Sequence, residues 1–243
     1  MPWQSGARGF SGGNVASLST AAFTIGGSDR YLEIEAYSGA GTPQNVSTAA
    51  WDAAGVNEAL SIVEAHVSFN TNFRASKWAL VAPSALTSTV VTVTWASNQD
   101  ETMILADAYD TIDQATPART RPTPAQGTGN TPSLSVTSVA GDIVVGSLAN
   151  SKNPGDLTTI ASSLVTIREK VEGADLGGYE TCAQGDVVAT GTSTSVGFTQ
   201  SVASGSGTYV LFGVALIPAS GASPTSFPPV RSIGQRIAPI LNF

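Results

Sequence analysis

The chain has 243 residues, of which 42% are hydrophobic and only 12% are charged, and 18 acidic residues outnumber 11 basic ones to give a formal net charge of −7. This acidic balance argues against a nucleic-acid binder that works by neutralising phosphates, and the single cysteine excludes an intrachain disulfide. The low share of charge leaves a surface rich in Ser and Thr. Such a surface is typical of proteins that pack against copies of themselves or other proteins, and also of halotolerant or extracellular proteins.

Residues 1–13 contain four glycines and two aromatic residues, Trp3 and Phe10. Glycine gives the backbone freedom, and aromatic side chains can anchor a segment in the groove of a neighbour. The segment is therefore predicted to be a flexible N-terminal arm. It lacks the basic and then apolar stretches of a signal peptide, and no apolar run in the chain reaches the ~20 residues that span a bilayer. We therefore expect a protein made in the cytoplasm, with no membrane partner.

Short apolar runs separated by Gly, Ser, Thr and Pro fill the middle of the chain. In one of them Val91, Val93 and Trp95 alternate with Thr92 and Thr94, and β-branched and aromatic residues of this kind favour strands. Helical patterns are scarce. The sequence predicts an all-β domain over residues 14–219, a two-sheet antiparallel β-sandwich of jelly-roll type.

Prolines and glycines are concentrated between about residues 116 and 132. This segment is either a linker between two halves or a long surface loop within one sandwich. The second interpretation is preferred, because neither half has enough predicted strands to close two sheets comfortably. No convincing internal repeat is apparent.

Residues 220–243 combine prolines, which block helices and sheet interiors, with apolar side chains that a disordered tail usually lacks. They are predicted to form an extended C-terminal arm packed on the body or on an adjoining subunit. No acidic residue precedes Asp29 or follows Asp186, so Arg8, Arg231 and Arg236 lie in segments free of acids. These arms either dock on acidic neighbours or are simply polar segments short of charge. The predicted partner contacts are Trp3, Phe10, Phe227, Arg231, Arg236, Ile240, Leu241 and Phe243.

No reactive centre is apparent in the residues. His66 is the only histidine, and no Gly-x-Ser-x-Gly elbow supplies a nucleophile for it. Cys182 is predicted to be a small buried side chain. One Cys and one His cannot fill a zinc site without carboxylates. The acids most suited to calcium are predicted instead to be solvated groups on strand edges and loops, since they do not converge along a strand; they are Asp100, Glu101, Asp107, Asp110 and Asp113.

The chain has four tryptophans, which could form a platform for stacking sugars. Trp78 and Trp95 lie within apolar strand runs and are predicted to be core residues. Trp51 ends a predicted strand and is the better candidate for exposure and for contact with a glycan.

Several segments, taken in order, resemble a jelly-roll-like β-sandwich domain of tailed-phage virion proteins and bacterial surface proteins. They are Arg30–Ile34, Val46–Trp51, Trp78–Pro83, Val90–Trp95, Tyr109–Pro117, Ser135–Val145 and Tyr209–Pro218. The resemblance implies the fold and a structural or adhesive role, and it carries no catalytic residues.

Two functions follow as expectations. The first is a non-enzymatic virion component, a capsid decoration or cement protein whose arms bind major capsid or tail subunits, with no cofactor and no direct contact to nucleic acid. Symmetric assembly, as a trimer for example, is expected from the resemblance. The alternative is a carbohydrate-binding or adhesive module on a virion or cell surface. An enzyme such as a glycan hydrolase is disfavoured, because no acid/base pair can be identified.

Overall fold

The computed structural model describes residues 3–39, 42–151, 159–172, 180–201 and 207–220. Within these ranges the chain contains strands, turns and bends and no helix, which confirms the predicted all-β, antiparallel sandwich class. The strands are β1 Trp3–Ser11, β2 Val15–Ser19, β3 Phe23–Ile25, β4 Tyr31–Gly39, β5 Val46–Trp51, β6 Glu58–Ala59, β7 Ser61–Asn70, β8 Phe73–Val81, β9 Leu86–Thr89, β10 Val91–Gln99, β11 Glu101–Tyr109, β12 Ala125–Thr128, β13 Ser133–Thr137, β14 Ile143–Ser151, β15 Thr159–Ala161, β16 Thr166–Val171, β17 Glu180–Val188, β18 Ser193–Gly197, β19 Thr199–Ser201 and β20 Thr208–Leu216.

Strands β1–β11 form a first sandwich. A five-stranded sheet in the order β1-β11-β4-β8-β7 packs on a four-stranded sheet in the order β2-β10-β5-β6. The core between them is built from alternate strand residues such as Leu32, Ile34, Val91 and Val93. Trp78 and Trp95 are buried in this core, as predicted from their apolar surroundings.

Strands β12–β20 form a second sandwich with a core of its own. Its five-stranded sheet has the order β12-β20-β14-β17-β16, and it is covered by the pairs β13-β18 and β15-β19. Val144, Leu148, Val196 and Leu211 are among the residues of this core. The strands thus divide between two sandwiches where the sequence predicted one. Residues 110–124 connect them, and the end of the Pro- and Gly-rich segment 116–132 contains strand β12.

The two sandwiches are an internal repeat in topology. The central strands β4, β8 and β11 of the first are each nine residues long, as are β14, β17 and β20 of the second. The pairing registers also match. Gly39 pairs with Glu101 on one side and Phe73 on the other, while Ser151, at the same position of β14, pairs with Thr208 and Glu180.

The five-stranded sheets pack face to face, so the molecule has four layers of sheet. Contacts run from β1 to β16, from β11 to β16 and β17, and from β7 to β20. We call the layer between these two sheets the joint. Because of the joint, both faces of β4 and β14 are buried along their full length, whereas the single sandwich predicted from the sequence would leave one face of each strand to the solvent.

The N-terminal segment, predicted to be a flexible arm, is largely the strand β1, which pairs with β11 at the edge of its sheet. Two of its four glycines allow close packing. A Cβ at Gly9 would collide with the carbonyl oxygen of Ser19, and one at Gly6 would lie 2.9 Å from the Cγ of Glu169 in β16. The C-terminal arm begins at the last described residue, Ser220, and all of its predicted contact residues lie outside the described part.

No helix in the described ranges is long and apolar enough to cross a membrane.

Candidate functional site

The joint contains the main cluster of buried ionisable groups in the described chain. One end of it is an apolar patch that includes Tyr37, Leu105 and Phe212, and the other end is a second apolar patch that includes Tyr109 and Leu216. Between the two patches runs a row of polar side chains that we call the polar stripe. It consists of Glu33, Glu35, Lys77, Asp107, Ser147, Gln184 and Asp186.

Strand register places these side chains in one row. Residues 31, 33, 35 and 37 of β4 alternate onto the face that meets the second sandwich, so Glu33 and Glu35 lie there between Tyr31 and Tyr37. Pairing then brings Asp107 of β11 opposite Glu33 and Lys77 of β8 opposite Glu35. In the second sandwich the pairing of β14 with β17 likewise sets Ser147 beside Gln184.

Lys77 connects the two sandwiches. Its side chain is 1% exposed, and its ammonium donates hydrogen bonds to Ser147 Oγ at 2.6 Å and to Gln184 Oε1 at 2.9 Å. The same nitrogen lies 3.2 Å from Glu33 Oε1. A buried ammonium needs compensating oxygens, and here two of the three come from the second sandwich.

Glu33 is held in its ionised form from two sides. Arg121, in the connection between the sandwiches, donates to Glu33 Oε2 at 2.9 Å, and the Tyr31 hydroxyl donates to the same oxygen at 3.2 Å. Burial opposes ionisation, but the charges of Arg121 and Lys77 outweigh it and lower the pKa of Glu33 to about 2. The connecting segment is thereby fixed to the joint by a buried ion pair.

Glu35 and Asp107 are buried without comparable compensation. Neither carboxylate oxygen of Glu35 has a hydrogen-bond partner, and of the two oxygens of Asp107 only Oδ1 has one, the indole N–H of Trp3 at 3.0 Å. Burial raises the pKa of each carboxyl to about 7. The prediction of a solvated strand acid is wrong for Asp107, which is fully buried.

Trp3 closes one edge of the joint. Its ring lies 4.8 Å from the guanidinium carbon of Arg168, and Arg168 forms a two-pronged pair with Asp186, with both distances 2.8 Å. The predicted partner contact Trp3 is therefore engaged within its own chain. Phe10 differs, because 39% of its surface is exposed, and it stays a candidate for contact with a partner.

Trp51 does not offer a surface to a glycan. It has no exposed surface, its ring lies 5.0 Å from that of Phe23, and its indole N–H donates to the carbonyl of Ser84 at 3.1 Å. The strand end that suggested exposure is covered by the segment that carries Ser84. The prediction of a glycan contact at Trp51 is corrected accordingly.

The residues considered above for catalysis, His66 and Cys182, lie in different parts of the fold and contact other groups. The Nε2 of His66 accepts a hydrogen bond from the backbone N–H of Val46 at 2.9 Å, and burial together with Arg74 lowers its pKa. Cys182 is buried in an apolar patch of the joint, as predicted. No group of three or more His, Cys, Asp or Glu side chains among the described residues is arranged to hold a metal ion.

The outer faces of the two sandwiches contrast with the joint. In the first, Ser19 and Thr92 share a hydrogen bond between their hydroxyls at 2.9 Å, and Ser17 and Thr94 form the adjacent cross-strand pair. In the second, the hydroxyls of Ser135 and Ser193 are 2.9 Å apart. The strands β2, β5, β10, β13 and β18, which supply these faces, contain no charged residue. We call the two surfaces the hydroxyl faces.

The polar stripe was missed by the sequence analysis, and so were the hydroxyl faces as distinct surfaces. The available signal was the alternation itself: Glu33 and Glu35 alternate with Leu32 and Ile34. That pattern identifies a polar face but does not say whether water or a second sheet covers it.

Comparison with protein-family models, with curated proteins and with solved structures finds no match for this chain.

Proposed function

We propose that this protein is a non-enzymatic structural component of a phage virion, a capsid decoration protein that binds neighbouring subunits. The observation that carries the proposal is the separation of polar groups in the body. Most of the buried charges of the described chain lie in the joint, whereas the strands β2, β5, β10, β13 and β18 of the outer sheets carry small hydroxyl side chains and no charge. A hydroxyl face can be covered by a neighbour without the cost of desolvating a charge. The resemblance of the sequence to virion accessory domains is the basis for proposing a virion as the place where the protein functions.

The proposed partners are the major capsid or tail subunits and further copies of the chain, for example in a trimer. The hydroxyl faces lie on the two outermost sheets, on opposite sides of the four-layer body, so one molecule can contact two neighbours. Several contacts of this kind strengthen one another when they are displayed on a repeating lattice.

The C-terminal segment is the second element of the proposal. The described chain ends three residues beyond Ile217, which lines a shallow groove of about 520 Å³ together with Arg119, Arg121 and Thr137. Residues 221–243 follow and carry the predicted contacts Phe227, Arg231, Arg236, Ile240, Leu241 and Phe243. Their apolar and basic side chains suit an acidic partner surface with apolar pockets.

Removal of residues 221–243 is expected to leave a folded body that no longer joins the virion. The measurement compares the thermal transition of the purified variant with its amount, relative to the major capsid subunit, in purified particles. A full-length variant in which the same residues are replaced by Gly and Ser is the matched control, and it is expected to fail in the same way. Normal incorporation of the truncated chain would contradict the proposed role of the segment.

A charge placed on each hydroxyl face is expected to weaken assembly without unfolding the protein. The double substitution Ser17→Glu and Ser135→Glu lies on exposed strand positions, so the free energy of unfolding should change by about 0.5 kcal/mol or less per site. Each carboxylate must be desolvated on contact, and occupancy on particles should fall about tenfold or more. Ser28→Glu, in an exposed bend, is the control. Equal occupancy for the double variant and the control would contradict contact through these faces.

The alternative function, a carbohydrate-binding or adhesive module, loses the aromatic residue on which it rested, because Trp51 is buried. We do not propose it further.

A further inference from the structure

Two carboxyl groups in the joint lack the partners that buried carboxylates need. Glu35 has no hydrogen bond to either oxygen, Asp107 has one, and both side chains are buried between the sandwiches. An ionised carboxyl in such a place costs far more than a neutral one, unless water reaches it. Contact between the two five-stranded sheets therefore favours the protonated forms of Glu35 and Asp107. Separation of the sheets would favour their ionised forms.

The charged neighbours of Glu35 and Asp107 do not remove this preference for the protonated forms in the closed joint. Glu35 faces Lys77 across the strand pair, but the ammonium of Lys77 is already shared by Glu33, Ser147 and Gln184. Asp107 pairs in register with Glu33, and it lies near two further acids of the second sandwich. The ionisable groups that interact with Glu35 or Asp107 are Glu33, Lys77, Tyr109, Arg168, Glu169 and Asp186. Arg121, in the connection, pairs with Glu33 instead.

We propose that the joint is a pH-dependent contact, closed in mildly acidic solution and loosened above neutral pH, with Glu35 and Asp107 as the groups that control it. Loosening here means that the two five-stranded sheets separate enough to admit water to the polar stripe, while each sandwich keeps its own core. The separate cores of the two sandwiches make such a partial opening feasible.

The sign of the effect follows from linkage. The pKa of each of the two carboxyls is raised to about 7 in the closed joint, from ordinary values of 4.5 for Glu35 and 3.8 for Asp107. The stability that they contribute is therefore complete below the ordinary values and is lost as the pH rises through 7. Each unit of raised pKa changes the opening constant about tenfold once the pH has passed 7.

Hydrogen–deuterium exchange tests the proposal when variants are compared at the same pH, so that the intrinsic pH dependence of exchange cancels. The double variant Glu35→Gln and Asp107→Asn imitates the protonated joint. At pH 8.5 we expect amides of β4 and β14 to exchange about tenfold or more faster in the natural protein than in the variant. At pH 3.5, below the ordinary pKa values of both carboxyls, the two proteins should exchange nearly alike. Amides of β10, in the core of the first sandwich, should not differ at either pH.

Trp3 provides a second measurement that does not depend on the double variant. Its indole lies at the edge of the joint against Arg168 and Asp107, whereas Trp51, Trp78 and Trp95 are in the core of the first sandwich. Acrylamide quenching of the Trp3 fluorescence is obtained as the difference from Trp3→Phe. It should rise as the pH is raised from about 4 to 7 and level off above that. The same pH dependence should be seen in Asp100→Asn, which changes an exposed acid elsewhere.

Three results would overturn the proposal. The first is equal exchange in β4 and β14 for the natural protein and the double variant at pH 8.5. The second is equally accelerated exchange in β10, which would indicate unfolding of a whole sandwich instead of opening of the joint. The third is quenching of Trp3 that does not change between pH 3.5 and pH 8.5.

Discussion

Substitution of Lys77 by methionine is expected to lower the free energy of unfolding by about 3–5 kcal/mol. Methionine retains an unbranched stem of similar reach, so the loss comes from the ammonium and not from packing. Without it, Glu33 loses one of its two compensating cations, and Gln184 Oε1 loses the ammonium that donates to it across the joint. Breaking a buried ion pair by removal of one member leaves the other charge buried and poorly paired, which explains the large value.

Denaturant unfolding followed by tryptophan fluorescence and circular dichroism measures the effect. The matched control is Lys170→Met, because Lys170 pairs with Glu172 at 2.7 Å but is 41% exposed. Removal of that surface pair should cost about 1 kcal/mol or less. The double variant Lys77→Met and Glu33→Gln should recover part of the loss, since no uncompensated carboxylate then remains beside position 77. Equal losses for Lys77→Met and Lys170→Met would contradict a stabilising role for the stripe.

The strands of this fold could be predicted well from alternation, but the environment of their polar faces could not. Thr92 and Thr94 on β10 and Glu33 and Glu35 on β4 alternate with apolar residues in the same way. The threonines lie on an outer sheet and the glutamates lie under a second sandwich. Periodicity reports which side chains share a face, and it carries no information about what covers that face.

The internal repeat could not be read from the sequence because almost nothing of it survives as identity. When the matching registers align the central strands, Ala108 corresponds to Ala215 and Val81 to Val188, and no other pair is identical. The two sides of the joint also differ in charge. The first sandwich contributes Glu33, Glu35, Lys77 and Asp107 to the polar stripe, and the second contributes Asp186 with the neutral Ser147 and Gln184; Gln184 is the counterpart of Lys77. A two-sided contact within one chain is free to become asymmetric, unlike the contact between identical subunits.

A high glycine content led to the prediction of a flexible N-terminal arm, whereas most of that segment is the strand β1. Four glycines in thirteen residues indicate a flexible segment when only backbone freedom is considered. The other use of glycine is close approach, and Gly6 and Gly9 are positions where a Cβ would collide with a neighbouring strand. That use depends on long-range partners, in this case β2 and β16, and local composition contains no trace of them.

Substitution of Trp51 by alanine is expected to lower the free energy of unfolding by about 3–5 kcal/mol, because it removes a large, fully buried ring from the core of the first sandwich. The ring contacts that of Phe23, and its N–H satisfies the Ser84 carbonyl. The result also separates the two roles considered for this residue. A ring that stacked on a sugar would be exposed, and its removal would cost little stability while abolishing binding.

Phe10→Ala is the matched control, since it removes an aromatic ring that is 39% exposed and should cost about 1 kcal/mol or less. Unfolding can be followed in both variants through Trp78 and Trp95, which report on the first sandwich. A Trp51→Ala protein as stable as Phe10→Ala would place the indole at the surface and would reopen the carbohydrate-binding alternative. A large loss confined to Trp51→Ala would assign the tryptophan to the core and leave the hydroxyl faces and the C-terminal segment as the surfaces through which this body meets its neighbours.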